Sequence, residues 1–211
     1  MRHLTKKQWK HCFFFFLIFV AAPILIVVAA GGGYVFWFQH IREVPPPPDV
    51  SRVRPLLKNG DVILRSGVGI WSELFRTHNS RDKRFSHVGI VSIEPDGTYQ
   101  VIHAEADDLT GSGEVFRDTL EHFVGESSGI GIARPRGIDP DALAEAAKTF
   151  LGRPFDWKFD SRDDSAIYCT ELVELSLREI DPGLRLPEVD GIIMPEACMI
   201  PEYFLEIPVG E

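Results

Sequence analysis

A charge-free run of 26 residues, from Phe13 to Phe38, constrains the fold of this chain more than any other feature. As an α-helix the run is about 39 Å long, which is enough to cross a hydrocarbon core of about 30 Å. Trp9 precedes the run and Trp37 lies near its end, and aromatic side chains suit the two membrane interfaces. We therefore predict one N-terminal transmembrane helix, with the membrane as a partner through residues 13–38.

Charged residues around this run predict its orientation. The first 11 residues hold four basic side chains and no acid, so the N-terminus is expected in the cytoplasm and the rest of the chain outside it. In a bacterium this would be the periplasmic side. A cleavable signal peptide is the rival interpretation, because Val28–Ala30 ends in small residues. The apolar run is longer than a usual signal and continues to Phe38, which favours an uncleaved anchor.

A stretch of four prolines separates the apolar segment from the remainder of the chain. Pro45–Pro48 predicts an extended polyproline II spacer. The expected organisation is a basic flank and anchor over residues 1–40, a proline-rich linker over 41–54, and a catalytic domain over 55–211.

Charge and cysteine content exclude several classes of function. Residues 1–44 carry a net charge of +4 and the remainder −13, and an acidic body without a basic stripe excludes nucleic acid as a partner. Three cysteines are too few for a disulfide framework, and their spacing does not indicate zinc, so no metal or cofactor is expected. A bridge between Cys169 and Cys198 stays possible. Otherwise Cys198 is interpreted as structural.

Cys169 is predicted to stand at the start of an amphipathic helix. Apolar and small residues follow it at helical spacing on one face: Leu172, Val173, Ser176, Leu177 and Ile180. The preceding Asp163–Ser165 offers capping residues for the helix start. Because the positive end of the helix dipole favours a thiolate, the pKa of Cys169 is expected to be low.

A β-hairpin is predicted where a Pro-Asp-Gly turn joins two apolar stretches, residues 86–93 and 98–105. A three-residue loop closed by a left-handed glycine puts His103 and Glu105 on the same strand face as His87. A loop of even length would send them to the opposite face.

Other segments predict further helices and an aromatic stretch beside the cysteine helix and the hairpin. Asp118 with Glu121 resembles a capping box for a short helix, and Asp139-Pro140 opens a longer helix that Gly152 would end. Three aromatic residues alternate just before the cysteine helix: Phe155, Trp157 and Phe159. They suit either a buried strand, which we favour, or the wall of a substrate cleft.

Together these residues suggest cysteine-dependent acyl chemistry. Cys169 would be the nucleophile, and His87 would hold the thiolate and later protonate the leaving group. His103 or Glu105 would orient His87. The hydroxyl of Tyr168 and the backbone N–H of Cys169 would stabilise an oxyanion. Each residue alone more often has a structural role, but their combination favours catalysis.

The chain resembles the YiiX/YebB-like family of circularly permuted papain-like hydrolases, which are relatives of the NlpC-type endopeptidases. The resemblance covers about residues 55–180 and is carried by five motifs: Gly60-Asp61-Val62-Ile63, Ser86-His87-Val88-Gly89-Ile90, Val101-Ile102-His103-Ala104, Gly152-Arg153-Pro154-Phe155-Asp156 and Tyr168-Cys169-Thr170-Glu171-Leu172-Val173. It implies a catalytic pair of Cys169 and His87 with a third polar residue at His103. Many family members have glutamate there, whereas NlpC-type relatives often have histidine. Direct opposition to His87 across the hairpin favours Glu105, but the motif match favours His103, so we rank His103 first and keep Glu105 as the alternate.

The resemblance implies an α+β fold, a circularly permuted papain-like domain in which a small antiparallel sheet packs on the nucleophile helix. The leading hypothesis is a membrane-anchored cysteine hydrolase of the amidase or peptidase type, acting through an acyl-enzyme on a peptide, cell-wall or lipid-derived amide or ester. The alternatives are an acyltransferase with the same triad and a catalytically silent peptide-binding module.

Overall fold

The structure is a computed structural model, and three stretches of it are described: residues 22–40, 42–107 and 110–210. The chain divides into two compact units, Met1–Glu43 and Val44–Glu211. The first unit contains helix α1 (Ala22–His40). Across the described stretches, we find no helix with the length and apolar character needed to span a membrane. Residues 13–21 of the predicted anchor lie outside the described residues.

The second unit is built on one antiparallel sheet of six strands. In chain order the strands are β1 (Val62–Gly67), β2 (His87–Ile93), β3 (Tyr99–Ala106), β4 (Gly113–Thr119), β5 (Ser127–Pro135) and β6 (Phe204–Ile207). They are arranged in the order β4-β3-β2-β1-β5-β6. The predicted α+β class with an antiparallel sheet is therefore confirmed.

Five helices accompany the sheet in this unit: α2 (Val50–Val53), α3 (Ile70–His78), α4 (Leu120–Gly125), α5 (Pro140–Lys148) and α6 (Cys169–Ile180). Two 3₁₀ turns span Arg54–Leu56 and Pro195–Met199. Helix α5 opens as predicted, with Asp139 capping the amide N–H groups of its first turn. It ends before Gly152 because the chain tightens into i→i+3 hydrogen bonds after Lys148.

The hairpin of β2 and β3 has the predicted geometry. The N–H of Gly97 donates to the carbonyl of Glu94, and Gly97 has the expected left-handed backbone, with φ +84°. Ile90 pairs with Ile102, and the same register continued to the strand ends sets His87 opposite Glu105. His103 and Glu105 therefore share a face with His87.

Helices cover both faces of the sheet, and the alternation of strand residues decides what each face holds. Leu172 and Val173 of α6 pack with Val88 and Ile90 on one face. Phe123 of α4 packs on the other face, among the odd-numbered residues of β1, β2 and β3. His87, the first residue of β2, belongs by this alternation to the α4 face. It meets the start of α6 only because both lie at one end of the sheet.

Two helix caps differ from the predicted ones. Tyr168 is the cap residue of α6, and its N–H donates to the Glu171 carboxylate over 3.3 Å, so the predicted capping by Asp163–Ser165 is wrong. Thr119 rather than Asp118 caps α4, since its hydroxyl accepts the N–H of His122. The residue directly before the first helical one is the cap, and sequence patterns locate that residue only to within a few positions.

Candidate active site

A cavity of about 350 Å³ opens at the N-terminus of helix α6. Cys169, His87, Glu105 and Tyr168 all line it, so the structure brings four of the five predicted site residues to one place. Cys169 and Cys198 are both free thiols, so the alternative of a bridge between them is wrong.

His103 lies behind His87, away from the cavity. Nδ1 of His103 and Nε2 of His87 are 2.8 Å apart, which is a hydrogen bond. The His103 side chain is fully buried, with its ring centroid 4.5 Å from that of Phe116 and 5.2 Å from that of Phe123. Aromatic packing on two sides therefore holds this imidazole against His87.

Glu105, the alternate candidate for orienting His87, is bonded to Arg65 instead. Its carboxylate accepts a hydrogen bond from the buried guanidinium of Arg65, and its other oxygen lies 3.7 Å from Nδ1 of His103. The Arg65 guanidinium also stacks on the ring of Phe123, 4.9 Å from its centroid. Among the described residues, Glu105 has no hydrogen bond to His87. His103 is the polar group that contacts it.

Sequence reasoning missed Arg65, which places a fixed positive charge at this site. The residue is only 5% exposed and lines the same cavity as Cys169. The one available signal was a lone charged residue directly after the apolar run Val62-Ile63-Leu64. A cation at such a position needs a buried partner, but the sequence does not say which acid supplies it.

The protonation states of the two central groups differ from those predicted. Burial raises the pKa of Cys169 to about 11, and the N–H groups of Val88 and Thr170 only partly oppose it. Burial, reinforced by the charge of Arg65, holds the pKa of His87 well below its usual value. The expected low pKa of Cys169 is therefore wrong, because desolvation outweighs the helix terminus. The resting pair is a neutral thiol and a neutral imidazole.

Alkylation should reveal this neutral pair directly. We expect the rate at which iodoacetamide labels Cys169 in the free enzyme to rise about tenfold per pH unit between pH 7 and 10, because only the thiolate reacts. Peptide mapping by mass spectrometry separates Cys169 from the other cysteines. Glutathione, with an ordinary thiol, serves as the control and should level off near pH 9. A rate for Cys169 that is already constant below pH 7 would contradict the neutral pair.

The hydroxyl of Tyr168 is tied to the backbone. Its oxygen accepts the N–H of Ile193 over 3.0 Å, and burial raises the pKa of this phenol. The ring lines the cavity while the residue is 2% exposed. A role for the hydroxyl at an oxyanion stays a prediction.

Five aromatic side chains also line the cavity: Trp71, Phe75, Phe155, Trp157 and Phe159. Trp157 is 44% exposed, so the favoured interpretation of the alternating aromatics as strand core is wrong for it. Phe159 has a left-handed backbone, with φ 53°, which is strained for a bulky residue. Its ring packs on Phe75 and Tyr168 at centroid distances of 5.1 and 5.2 Å. These contacts hold the ring in the wall.

The wall extends into a second apolar cavity of about 200 Å³. The two cavities share four lining residues: Leu74, Phe75, Phe159 and Ile192. The thiol therefore stands at one end of a largely apolar, aromatic-lined depression.

Three side chains of the site could in principle bind a metal ion. His87, His103 and Glu105 each offer one donor atom, and these atoms lie within 4.8 Å of one another. A metal ion would have to replace both the bond between the imidazoles and the bond from Arg65 to Glu105. It would also stand beside the buried positive charge of Arg65. In this arrangement the three residues do not fit a divalent metal ion.

Comparisons with known proteins bear on this site. A family model described as "Permuted papain-like amidase enzyme, YaeF/YiiX, C92 family" matches residues 56–189. Among solved structures, the protein described as metalloprotein yiiX from Escherichia coli O157:H7 has a similar fold, with a TM-score of 0.58 and 19% sequence identity. The similarity covers 72% of this chain and 97% of that one. The curated proteins contain no match to the chain.

Proposed function

Because the chain belongs to the permuted papain-like amidase family YaeF/YiiX, we propose that Cys169, His87 and His103 cleave an amide bond through an acyl-enzyme. The family makes the protein a cysteine hydrolase. The observation that carries the proposal is the shared cavity of Cys169 and His87. In the described part of the second unit, Cys169 is the only thiol at a helix start, and the His87 imidazole is already hydrogen-bonded to that of His103.

The proposed reaction starts from the neutral thiol. Nε2 of His87 is bonded to His103, which leaves Nδ1 to accept the Cys169 proton as the sulfur attacks the carbonyl carbon. The resulting imidazolium then donates this proton to the leaving amine, and a thioester forms on Cys169. Water, activated by the same imidazole, hydrolyses the thioester and restores the thiol.

We infer the substrate class from the cavity wall. Aromatic and aliphatic side chains make up most of the wall beside the thiol. The charged lining residues of this cavity are Arg65 and Glu105, and Asp190 is the one acidic residue that lines the second cavity. Such a wall buries an apolar acyl group, and the combined size of the two cavities is within the range of small-molecule sites. An N-acylated amine or amino acid with an extended apolar acyl chain is therefore the favoured substrate.

A series of N-acyl-4-nitroanilides tests both the activity and the substrate class. From acetyl to dodecanoyl, kcat/KM should rise by up to about fourfold per added methylene until the cavity is filled, because each buried CH₂ contributes about 0.8 kcal/mol. Trp71→Ala should reduce kcat/KM about tenfold for the long chains, with the acetyl substrate unchanged. Leu205→Ala is the matched control, since Leu205 is 44% exposed against 45% for Trp71 and lies on β6, outside the cavity.

A flat dependence on chain length would overturn the substrate class and leave the amidase activity standing. Product analysis in the presence of an amine acceptor separates hydrolysis from transfer. Free acid as the main product supports the hydrolase, and an N-acylated acceptor supports the acyltransferase alternative.

Membrane attachment is part of the proposal. The charge-free run of residues 13–38 supports it, and so do the exposed apolar side chains Val27 and Val28 on α1. The prolines at Pro45–Pro48 would space the catalytic unit from the bilayer on the extracytoplasmic side. Fractionation of full-length protein, with protease accessibility of the catalytic unit in intact cells, tests both attachment and side.

E. coli yiiX is described as a metalloprotein, but no metal ion is proposed for this chain. Arg65 bonds to Glu105 and faces His87, so the donors that a metal would need are already engaged.

A further inference from the structure

A line of polar side chains runs from His87 through the protein to its surface. Nε2 of His87 bonds to Nδ1 of His103, and on the far side of that ring Nε2 of His103 lies 3.8 Å from Oδ2 of Asp118. The same carboxylate oxygen accepts from Nδ1 of the exposed His122 over 2.6 Å. The nitrogen that faces Asp118 is buried and has no hydrogen-bond partner among the described residues.

The bond between the two imidazoles allows two tautomer pairs. If His103 carries its proton on Nε2, its Nδ1 is an acceptor, His87 must donate from Nε2, and Nδ1 of His87 is free to take a proton. If His103 carries the proton on Nδ1, the bond is reversed and His87 carries its own proton on Nδ1. In the second arrangement His87 cannot accept the proton of a thiol.

Two carboxylates face His103, and they favour opposite tautomers. Glu105 lies 3.7 Å from Nδ1 and would favour a proton there, but its charge is paired with Arg65. Asp118 faces Nε2. Burial alone would raise the pKa of Asp118, but its interactions with His103 and His122 lower it to about 2, so it is ionised at neutral pH. The partner of Glu105 is the buried guanidinium of Arg65, whereas the partner of Asp118 is His122, a solvent-exposed imidazole whose charge water screens. The Asp118 charge therefore decides where His103 carries its proton.

We propose that Asp118 is a positioning residue, which holds the proton of His103 on Nε2 and thereby keeps Nδ1 of His87 free to act as the base toward Cys169. The inference rests on the proposed cysteine hydrolase mechanism. It gives Asp118, which touches neither the cavity nor the thiol, a role two residues away from the reacting atoms.

Asp118→Asn tests this role, because the amide has the same shape and lacks the charge. We expect kcat to fall about 100-fold with KM nearly unchanged, since the base is lost from most molecules and substrate binding is not. In ¹⁵N-histidine NMR spectra at neutral pH, the protonated nitrogen of His87 should change from Nε2 in the wild type to Nδ1 in the variant. Asp118→Glu retains a carboxylate and should recover part of the lost kcat and part of the wild-type tautomer of His87.

His122→Gln is the matched control. It removes the hydrogen bond from Nδ1 of His122 to the Asp118 carboxylate, at the surface, and should change kcat less than about threefold and leave both tautomers as in the wild type. A loss of activity in Asp118→Asn with wild-type tautomers would show a merely structural role and overturn the proposal. Wild-type kcat and wild-type tautomers in that variant would overturn it too.

The NMR measurement needs no substrate, so it separates this inference from the proposed function. If wild-type enzyme hydrolyses none of the acyl anilides but His87 changes tautomer in Asp118→Asn, the hydrolase mechanism fails and the control of His103 by Asp118 stands. If hydrolysis depends on Cys169 and His87 but the tautomers are unchanged in Asp118→Asn, the hydrolase mechanism stands and the role of Asp118 fails.

Discussion

Cys169→Ala is expected to lower kcat/KM for the preferred acyl anilide at least about 10³-fold, because no acyl-enzyme can form without the sulfur. The thiol stands at the start of α6 and lines the cavity with His87. Steady-state release of 4-nitroaniline measures the loss. Circular dichroism and thermal unfolding should show a folded protein, since removing one partly buried thiol leaves the packing of α6 on the sheet in place.

Cys198→Ala provides the matched control for this substitution. Cys198 is also a free thiol, but it is fully buried in the core and lines neither of the two apolar cavities. We expect this variant to retain kcat/KM to within about threefold. Hydrolysis by Cys169→Ala at more than a tenth of the wild-type rate would contradict the assignment of Cys169 as the nucleophile. Unimpaired biological function of that variant alongside loss on deletion of the gene would favour a silent binding module.

His87→Ala is the second substitution with a large expected effect. Because the Cys169 thiol is neutral at pH 7, the reaction needs a base to take its proton, and kcat should fall at least about 10³-fold at that pH. Alkaline pH should recover part of the activity, since hydroxide then ionises the thiol. Imidazole added to the assay should also restore part of it by entering the space left beside the cavity.

His78→Ala is the control for the second substitution. His78 ends helix α3, and its Nδ1 bonds to the carbonyl of Leu74. It lines the second apolar cavity but not the cavity of Cys169, so this comparison uses the short acetyl anilide, which does not reach the second cavity. Its replacement should leave kcat within about twofold. Equal losses of kcat in His87→Ala and His78→Ala would show that the assay reports general damage to the domain.

Local sequence patterns predicted the hairpin and the start of α6 because both are specified by residues close together in the chain. The Pro-Asp-Gly turn determines the register that puts His103 and Glu105 on the face of His87. The 3.6-residue spacing after Cys169 likewise predicts a helix that begins there, and the structure has this helix over Cys169–Ile180.

Features that depend on distant strands could not be predicted in this way. Arg65 and Asp118 lie on β1 and β4, and only the folded sheet brings them to opposite sides of the two histidines. Asp118 was interpreted as a helix cap because its neighbours resemble one, whereas its carboxylate faces His103. The pKa of Cys169 was predicted wrongly for a related reason, since the helix start is visible in the sequence and its burial is not.

The most direct test of the account is acid quenching of wild-type enzyme within milliseconds of mixing with a dodecanoyl 4-nitrophenyl ester, followed by peptide mapping. The account predicts a dodecanoyl thioester on the peptide that contains Cys169, which hydroxylamine removes and which neither Cys169→Ala nor His87→Ala forms. Turnover that proceeds with the acyl group on another residue, or with no labelled peptide while Cys169→Ala remains active, would contradict it.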